Sequence, residues 1–170
     1  MTTRFTLLAL NLCLLFTGCA GYHLGGQKPK HLAGITKLAV PTFENLTLEP
    51  RLASVVTNAL IKQIQIDGSY QIVPKDQAEA VLEGSINRVD RTQFRSARGN
   101  VLRSSQLQMR LTCGFVIRDT GNGMAIHSGN ASANSYVILD TNVQNSEAQA
   151  LDDAAQRLAA NLAVEISEGW

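Results

Sequence analysis

The chain has 170 residues, 45% of them hydrophobic and 17% charged, and its formal net charge at pH 7 is +1. These values suit one domain, or one domain with a tail, around a packed apolar core, and they exclude an intrinsically disordered chain. Aromatic residues make up 5%, which leaves little surface for base stacking and argues against a nucleic-acid binder.

The N-terminus stands apart from the rest. Arg4 supplies a positive charge, and Phe5 to Phe16 is apolar except for Thr6 and Asn11. The run is too short to span a bilayer, which takes about 20 apolar residues. It ends in Phe16-Thr17-Gly18-Cys19. A charge, an apolar run and small residues in that order are the pattern of a secretory signal peptide. The ending resembles the bacterial lipoprotein signal, in which a Leu and two small residues precede an acylated Cys; here Phe16 stands in place of the Leu. The resemblance implies a signal peptide over 1–18 and lipid on Cys19. The alternative is an ordinary secreted chain with an incidental Cys. Ala20, where Asp would hold a lipoprotein back, resembles the enterobacterial sorting signal for the outer membrane.

Cys13 would leave with the signal and Cys19 would carry lipid. Cys113 is then the one thiol left for the fold, so packing alone must hold the core. Without Arg4, fourteen Lys and Arg oppose fourteen Asp and Glu. Their distribution is uneven. From Arg88 to Arg110 there are six arginines (88, 91, 95, 98, 103 and 110) and one acid, Asp90, whereas six acids and one Arg lie from Asp140 onward.

Residues 19–34, with Gly21, Gly25, Gly26 and Pro29, read as a lipidated tether, and 35–170 as a single domain. Ile35 to Phe43 reads as a strand, with Leu38-Ala39-Val40 buried on both faces and Pro41 limiting its pairing. Phe43 to Thr47 reads as a turn, with Thr47 or Glu49 capping a helix that carries Pro50 in its first turn. Leu52, Val55, Val56, Ala59, Leu60 and Ile64 form one helical stripe, stopped by Asp67-Gly68. Tyr70 to Val73 is a short strand, which makes a right-handed strand-helix-strand crossover. Gln77 to Ala80 reads as one helical turn.

Three long strands follow. Val81 to Phe94 switches apolar parity, which predicts a bulge near Asn87 or Arg88. Leu107 to Ile117 carries the clearest signal: Leu107, Met109, Leu111, Cys113, Phe115 and Ile117 alternate with Gln108, Arg110, Thr112 and Gly114. A strand puts the first set on one face. Ser96 to Asn100 and Asp119 to Gly123 read as hairpin turns. Met124 to Leu139 also changes parity, with Gly129 as the expected break. Ser146 with Gln149 forms a capping box for a last helix, whose stripe is Leu151, Ala154, Ala155, Leu158, Ala159, Leu162 and Ile166. The expected fold class is α+β, a two-layer sandwich with two helices on one face of a mixed four- to five-stranded sheet. The other face has no layer to cover it.

No catalytic constellation is legible. His23, His31 and His127 are scattered, without metal-ligand spacing. Asp152-Asp153 reads as a solvated helix face. Neither cofactor nor metal is expected. The arginines remain: Arg88, Arg91, Arg95, Arg98, Arg103 and Arg110. Guanidinium forks match phosphate or carboxylate oxygens in pairs, so these six are the candidate contacts for an anionic ligand such as a phosphorylated lipid. The alternative is a solvated hairpin.

Cys19 with Gly21-Tyr22-His23-Leu24, then Val40-Pro41-Thr42-Phe43-Glu44-Asn45-Leu46-Thr47 with Glu49-Pro50, then Leu82-Glu83-Gly84-Ser85-Ile86 and Phe94-Arg95, together resemble the LptE-like lipopolysaccharide-assembly lipoproteins. The Phe-x-Asn-x-Thr turn is shared with CsgG-like and peptidoglycan-synthase-activator lipoproteins. The first resemblance implies a non-enzymatic outer-membrane lipoprotein, held at the periplasmic face by its lipid anchor. It would plug an LptD-like β-barrel translocon, help that barrel assemble, and bind lipopolysaccharide. The second implies an activator of a periplasmic peptidoglycan synthase. No nucleic-acid partner is expected from either.

Overall fold

In the computed structural model the alternating strand around Leu111 lies between the two other long strands of the sheet. The structure describes residues 28–97, 100–138 and 143–168, and the side chains of 28–94, 106–138 and 144–168 among them. In chain order the elements are β1 (Lys37–Ala39), β2 (Glu44–Asn45), α1 (Leu52–Asp67), β3 (Gln71–Ile72), a 3-10 turn (Lys75–Gln77), β4 (Ala80–Ala97), β5 (Asn100–Asp119), β6 (Ala125–Ile138) and α2 (Val143–Glu168). The sheet order is β3-β1-β4-β5-β6, with β2 also paired to β4. The pairs β1–β3, β1–β4 and β2–β4 are parallel, whereas β4–β5 and β5–β6 are antiparallel. Both helices cover one face, which is the expected α+β sandwich with the short β2 added. Among the described residues no helix is long and apolar enough to cross a membrane.

The period-2 pattern of β5 decides which face is dry. Met109, Leu111, Cys113, Phe115 and Ile117 are buried under the helices, and Arg110 on the other parity is exposed. On α1, Leu52, Val56, Leu60 and Ile64 are buried at helical spacing. Gly68 ends that helix in the left-handed region (φ 76°), its N–H donating to the Ile64 carbonyl at 3.0 Å, a cap only glycine adopts freely. On α2 the buried stripe includes Ala150, Ala154, Ala155, Ala159 and Ala163. Small side chains let this helix lie close to both the sheet and α1. Burial raises the Cys113 thiol to about 11, so it behaves as an apolar core residue.

Two glycines mark close approaches. A Cβ on Gly84 would fall within 2.5 Å of Cδ2, Cε2 and Cζ of Phe43, whose ring lies across that strand. A Cβ on Gly129 would meet the Glu165 carboxylate and the Phe115 ring.

Several local expectations shift. The first strand is split. β1 ends at Ala39 and pairing resumes at β2, inside the expected turn, because Pro41 lies between them and cannot donate to β4. Helix α1 begins at Leu52 after Arg51, with no side-chain cap. Thr47 instead serves the loop: Asn45 Oδ1 accepts from the Thr47 backbone N–H (3.0 Å) and hydroxyl (2.8 Å), and Asn45 Nδ2 donates to the Glu49 carbonyl (2.8 Å). The single helical turn is the 3-10 turn at Lys75–Gln77, slightly earlier than expected. The β4 bulge falls where parity placed it, between Ile86 and Arg88. The parity change in β6 does not occur at Gly129, which pairs in register with Phe115. It occurs at Ile126, the extra residue between Ile117↔His127 and Arg118↔Ala125. Gly129 is small because Glu165 and Phe115 occupy the space beside it. Helix α2 starts at Val143, before Ser146.

Residues 28–34 pack onto the domain. Leu32 is fully buried. The Lys28 ammonium donates to the Ile35 carbonyl at 2.6 Å and sits 4.2 Å from the centre of the Tyr70 ring. The Tyr70 hydroxyl in turn donates to the Ile166 carbonyl near the end of α2 (2.9 Å).

Candidate functional site on the open sheet face

The sheet face away from the helices is built in cross-strand rows. The register of β4, β5 and β6 aligns Glu83, Val116 and Ser128; then Ser85, Gly114 and Asn130; then Arg88, Thr112 and Ser132. Asp90, Arg110 and Asn134 come next, followed by Thr92, Gln108 and Tyr136. At the far end Phe94 meets Tyr136, ring centres 4.8 Å apart. A shallow depression of about 580 Å³ lies over Gly114, lined by Ser85, Asn87, Ser128 and Asn130, with Glu44 and Glu83 among its other walls. Gly114 forms its floor: a Cβ there would stand 3.2 Å from Asn130 Oδ1 and 3.4 Å from Asn87 Nδ2. Ser85 Oγ donates to Asn87 Oδ1 (3.1 Å), which orients that amide.

Among the candidate arginines whose side chains are described, Arg91 lies apart from Arg88 and Arg110. Arg88 and Arg110 lie on the open face. Arg88 Nε is 3.0 Å from Asp90 Oδ2, and Arg110 donates to Ser132 Oγ at 3.2 Å. Past the β4 bulge Arg91 pairs with Met109, so it turns to the helix side. There it pairs with Glu49 before α1 and lies 3.8 Å from Glu147 in the first turns of α2. Arg95 and Arg103 belong to β4 and β5, but their side chains lie outside the described residues, as does the whole of Arg98. Cys19 also lies outside them. Counting charges between positions 88 and 110 could not reveal the partners of Arg91, because both carboxylates come from distant parts of the chain. The depression leaves a single local trace, Gly114 among the polar positions of β5.

Other polar groups serve the scaffold. Asp153 accepts from Arg157 Nε and from Ser135 Oγ, both at 2.8 Å, and the Arg157 bond holds its carboxyl below the usual range. His127 faces His31, ring centres 4.8 Å apart, and its Nε2 is buried without a partner. Burial, then the neighbouring His31, lowers its pKa. Among the described residues no three His, Cys, Asp or Glu side chains are placed to hold a metal ion.

The architecture recurs in solved structures of low identity. The PelC dodecamer from Paraburkholderia phytofirmans aligns at TM-score 0.55 and 14% identity, over 84% of this chain and 94% of that one. Protein XCC0632 from Xanthomonas campestris aligns at 0.56 and 10%, over 84% and 90%. The hypothetical protein CT253 from Chlamydia trachomatis aligns at 0.54 and 9%, over 78% and 98%. At such identities the likeness concerns the fold alone. No curated protein matches the sequence. The family model for LptE, lipopolysaccharide assembly, matches residues 35–166, from just before β1 to near the end of α2. The chain therefore belongs to the LptE lipopolysaccharide-assembly family.

Proposed function

We propose that this chain is a lipid-anchored, non-enzymatic subunit of the outer-membrane lipopolysaccharide translocon, where it plugs its β-barrel partner and binds lipopolysaccharide. The observation that carries the reading is the family match over 35–166, which includes every strand and nearly all of both helices. Two surface features support it. The open face presents hydroxyls, amides and charges, as an element facing a hydrated lumen should. Leu48 is 99% exposed and Leu46 60% on a loop already fixed by the Asn45 hydrogen bonds, and rigid exposed apolar side chains favour docking at small entropic cost. Arg88 and Arg110, with Arg95 on β4, Arg103 on β5 and Arg98 between them in sequence, are the proposed contacts for lipid phosphate. Arg91 would first have to leave Glu49 and Glu147.

Anchoring is assigned to Cys19, with a signal over 1–18 and localisation at the periplasmic face of the outer membrane. A thioether diacylglycerol with an amide-linked acyl chain binds membranes stably, whereas one chain alone is marginal. Cys19→Ser should leave unprocessed precursor without lipid label; cleavage of the wild type without any label would remove the anchor from the account. The partner is tested by purifying the full-length chain from detergent-solubilised outer membranes. A β-barrel protein should co-purify in a fixed ratio. Recovery of a peptidoglycan synthase in its place would favour the activator reading.

A further inference from the structure

Most of the open face suits a different ligand chemistry from phosphate. Its charges are largely satisfied within the protein: Glu83 accepts from Arg118 Nε at 3.2 Å and Arg88 pairs with Asp90 at 3.0 Å. Around the Gly114 depression the side chains are Ser85, Asn87, Ser128 and Asn130, with no cation among the residues lining it. An anion placed there would meet the carboxylates of Glu44 and Glu83, and the Arg118 guanidinium beside Glu83 is already paired with it. A neutral ligand rich in hydroxyls meets hydroxyls and amides that both donate and accept, with Val116 as a small apolar contact. The amide of Asn87 is already oriented by Ser85, and Asn130 leans over the same glycine.

The shape points the same way. From Val116 to Gln106 the central strand covers about 33 Å at roughly 3.3 Å per residue. Thr112, Ser132 and Asn134 continue the polar surface from the depression toward the paired rings of Phe94 and Tyr136. Aromatic faces accept the apolar faces of sugar rings. Small hydroxyl and amide residues over a glycine floor, with Arg88, Asp90 and Arg110 in the rows beyond and an aromatic pair at the far end, form a surface long enough for several sugar units in line.

We propose that the open face of β4, β5 and β6 binds a neutral, hydroxyl-rich saccharide chain, seated over Gly114 between Asn87 and Asn130. This deepens the proposed function, on which its biological setting rests: the arginines in the rows beyond the depression would take phosphate, and the surface over Gly114 the adjoining sugars.

The test uses the full-length chain in a zwitterionic, sugar-free detergent. The immobilised probe is the lipid-free polysaccharide released from lipopolysaccharide by mild acid and stripped of phosphate. The wild type should bind it with an affinity that does not change between low and moderate salt, because no ion pair forms. Gly114→Val fills the floor. Gly114 has no positive φ, and the neighbouring side chains Asn130 and Asn87 are exposed and able to move, so the fold should be as stable as before or more so. Its binding should fall about tenfold or more, equivalent to roughly 1.4 kcal/mol. Absence of wild-type binding, or equal binding by the variant, overturns the inference. If the polysaccharide fails while intact lipopolysaccharide still binds and the barrel still co-purifies, the saccharide surface is wrong and the proposed function stands. If the barrel is lost from Gly114→Val and the polysaccharide never binds, the face is a protein contact and the inference also fails. Saccharide binding without any barrel partner would leave the saccharide surface standing and remove the translocon reading.

Discussion

Replacing Gly84 by alanine tests whether the assembly around Phe43 is as tight as the structure has it. The added methyl would stand within 2.5 Å of three ring atoms of Phe43, where carbon atoms normally keep about 3.5–4.0 Å. The ring must therefore retreat by about 1 Å or more. It has little freedom to do so: Phe43 is 3% exposed, and its backbone N–H donates to Thr57 Oγ1 on α1 at 3.0 Å. Overpacking of this kind costs about 1–3 kcal/mol. Relief of glycine's extra unfolded-state entropy returns about 0.5–1 kcal/mol. With the clash in the upper part of that range, about 2–3 kcal/mol, the expected net loss is about 1–2.5 kcal/mol, or a fall of roughly 0.5–1.3 M in the urea midpoint at an m-value near 2 kcal/mol/M. Gly114→Ala, on the next β4–β5 row but the opposite face, meets an exposed amide at 3.2 Å and should change stability by about 0.5 kcal/mol or less. Phe43→Leu combined with Gly84→Ala should be less unstable than the sum of the single changes, because the clash has been removed. A Gly84→Ala protein as stable as wild type, or strict additivity in the double variant, would refute the placement of Phe43.

Leu111→Ala should cost about 2–5 kcal/mol by chemical denaturation, and Arg110→Ala about 0.5 kcal/mol or less; equal costs would mean that the faces of β5 are reversed. Arg91→Ala should lower stability modestly, by up to about 1 kcal/mol for partly exposed pairs, and the loss should shrink in high salt; a salt-independent loss would contradict the ion-pair role. The lowered pKa of His127 means that the native state binds fewer protons than the unfolded chain as pH falls through the ordinary value of 6.5. Its contribution is complete above that value and is lost as pH drops toward the folded pKa. Glu165, raised by burial above its ordinary 4.5, acts in the opposite sense. His127→Phe should flatten the decline in melting temperature between about pH 7 and 5; an unchanged profile would remove the histidine from the account.

What the sequence discloses depends on how far a cause reaches along the chain. Alternation over β5 and the helical stripes of α1 and α2 are local and strong, so the layers and the buried faces follow from them. The β4 bulge is legible because Ile86 and Val89 both need the dry face. The β6 bulge lies at Ile126 and not at Gly129: glycine is a plausible break on local grounds, but Gly129 is small on account of Glu165 and Phe115, which come from other elements. The same limit separates the arginines. Their spacing predicts one cluster, but a single-residue bulge sends Arg91 to the helices and leaves Arg88 on the open face. The depression over Gly114 arises only when three strands come into register, and no stretch of one strand contains it.

The most direct test of the central claim is to deplete the protein in cells and measure how much newly made lipopolysaccharide becomes accessible to a membrane-impermeant label at the surface. The account predicts that surface labelling falls as the protein is lost, with total lipopolysaccharide synthesis initially maintained, and that plasmid-borne wild type restores it. Undiminished surface labelling after complete depletion would contradict the account.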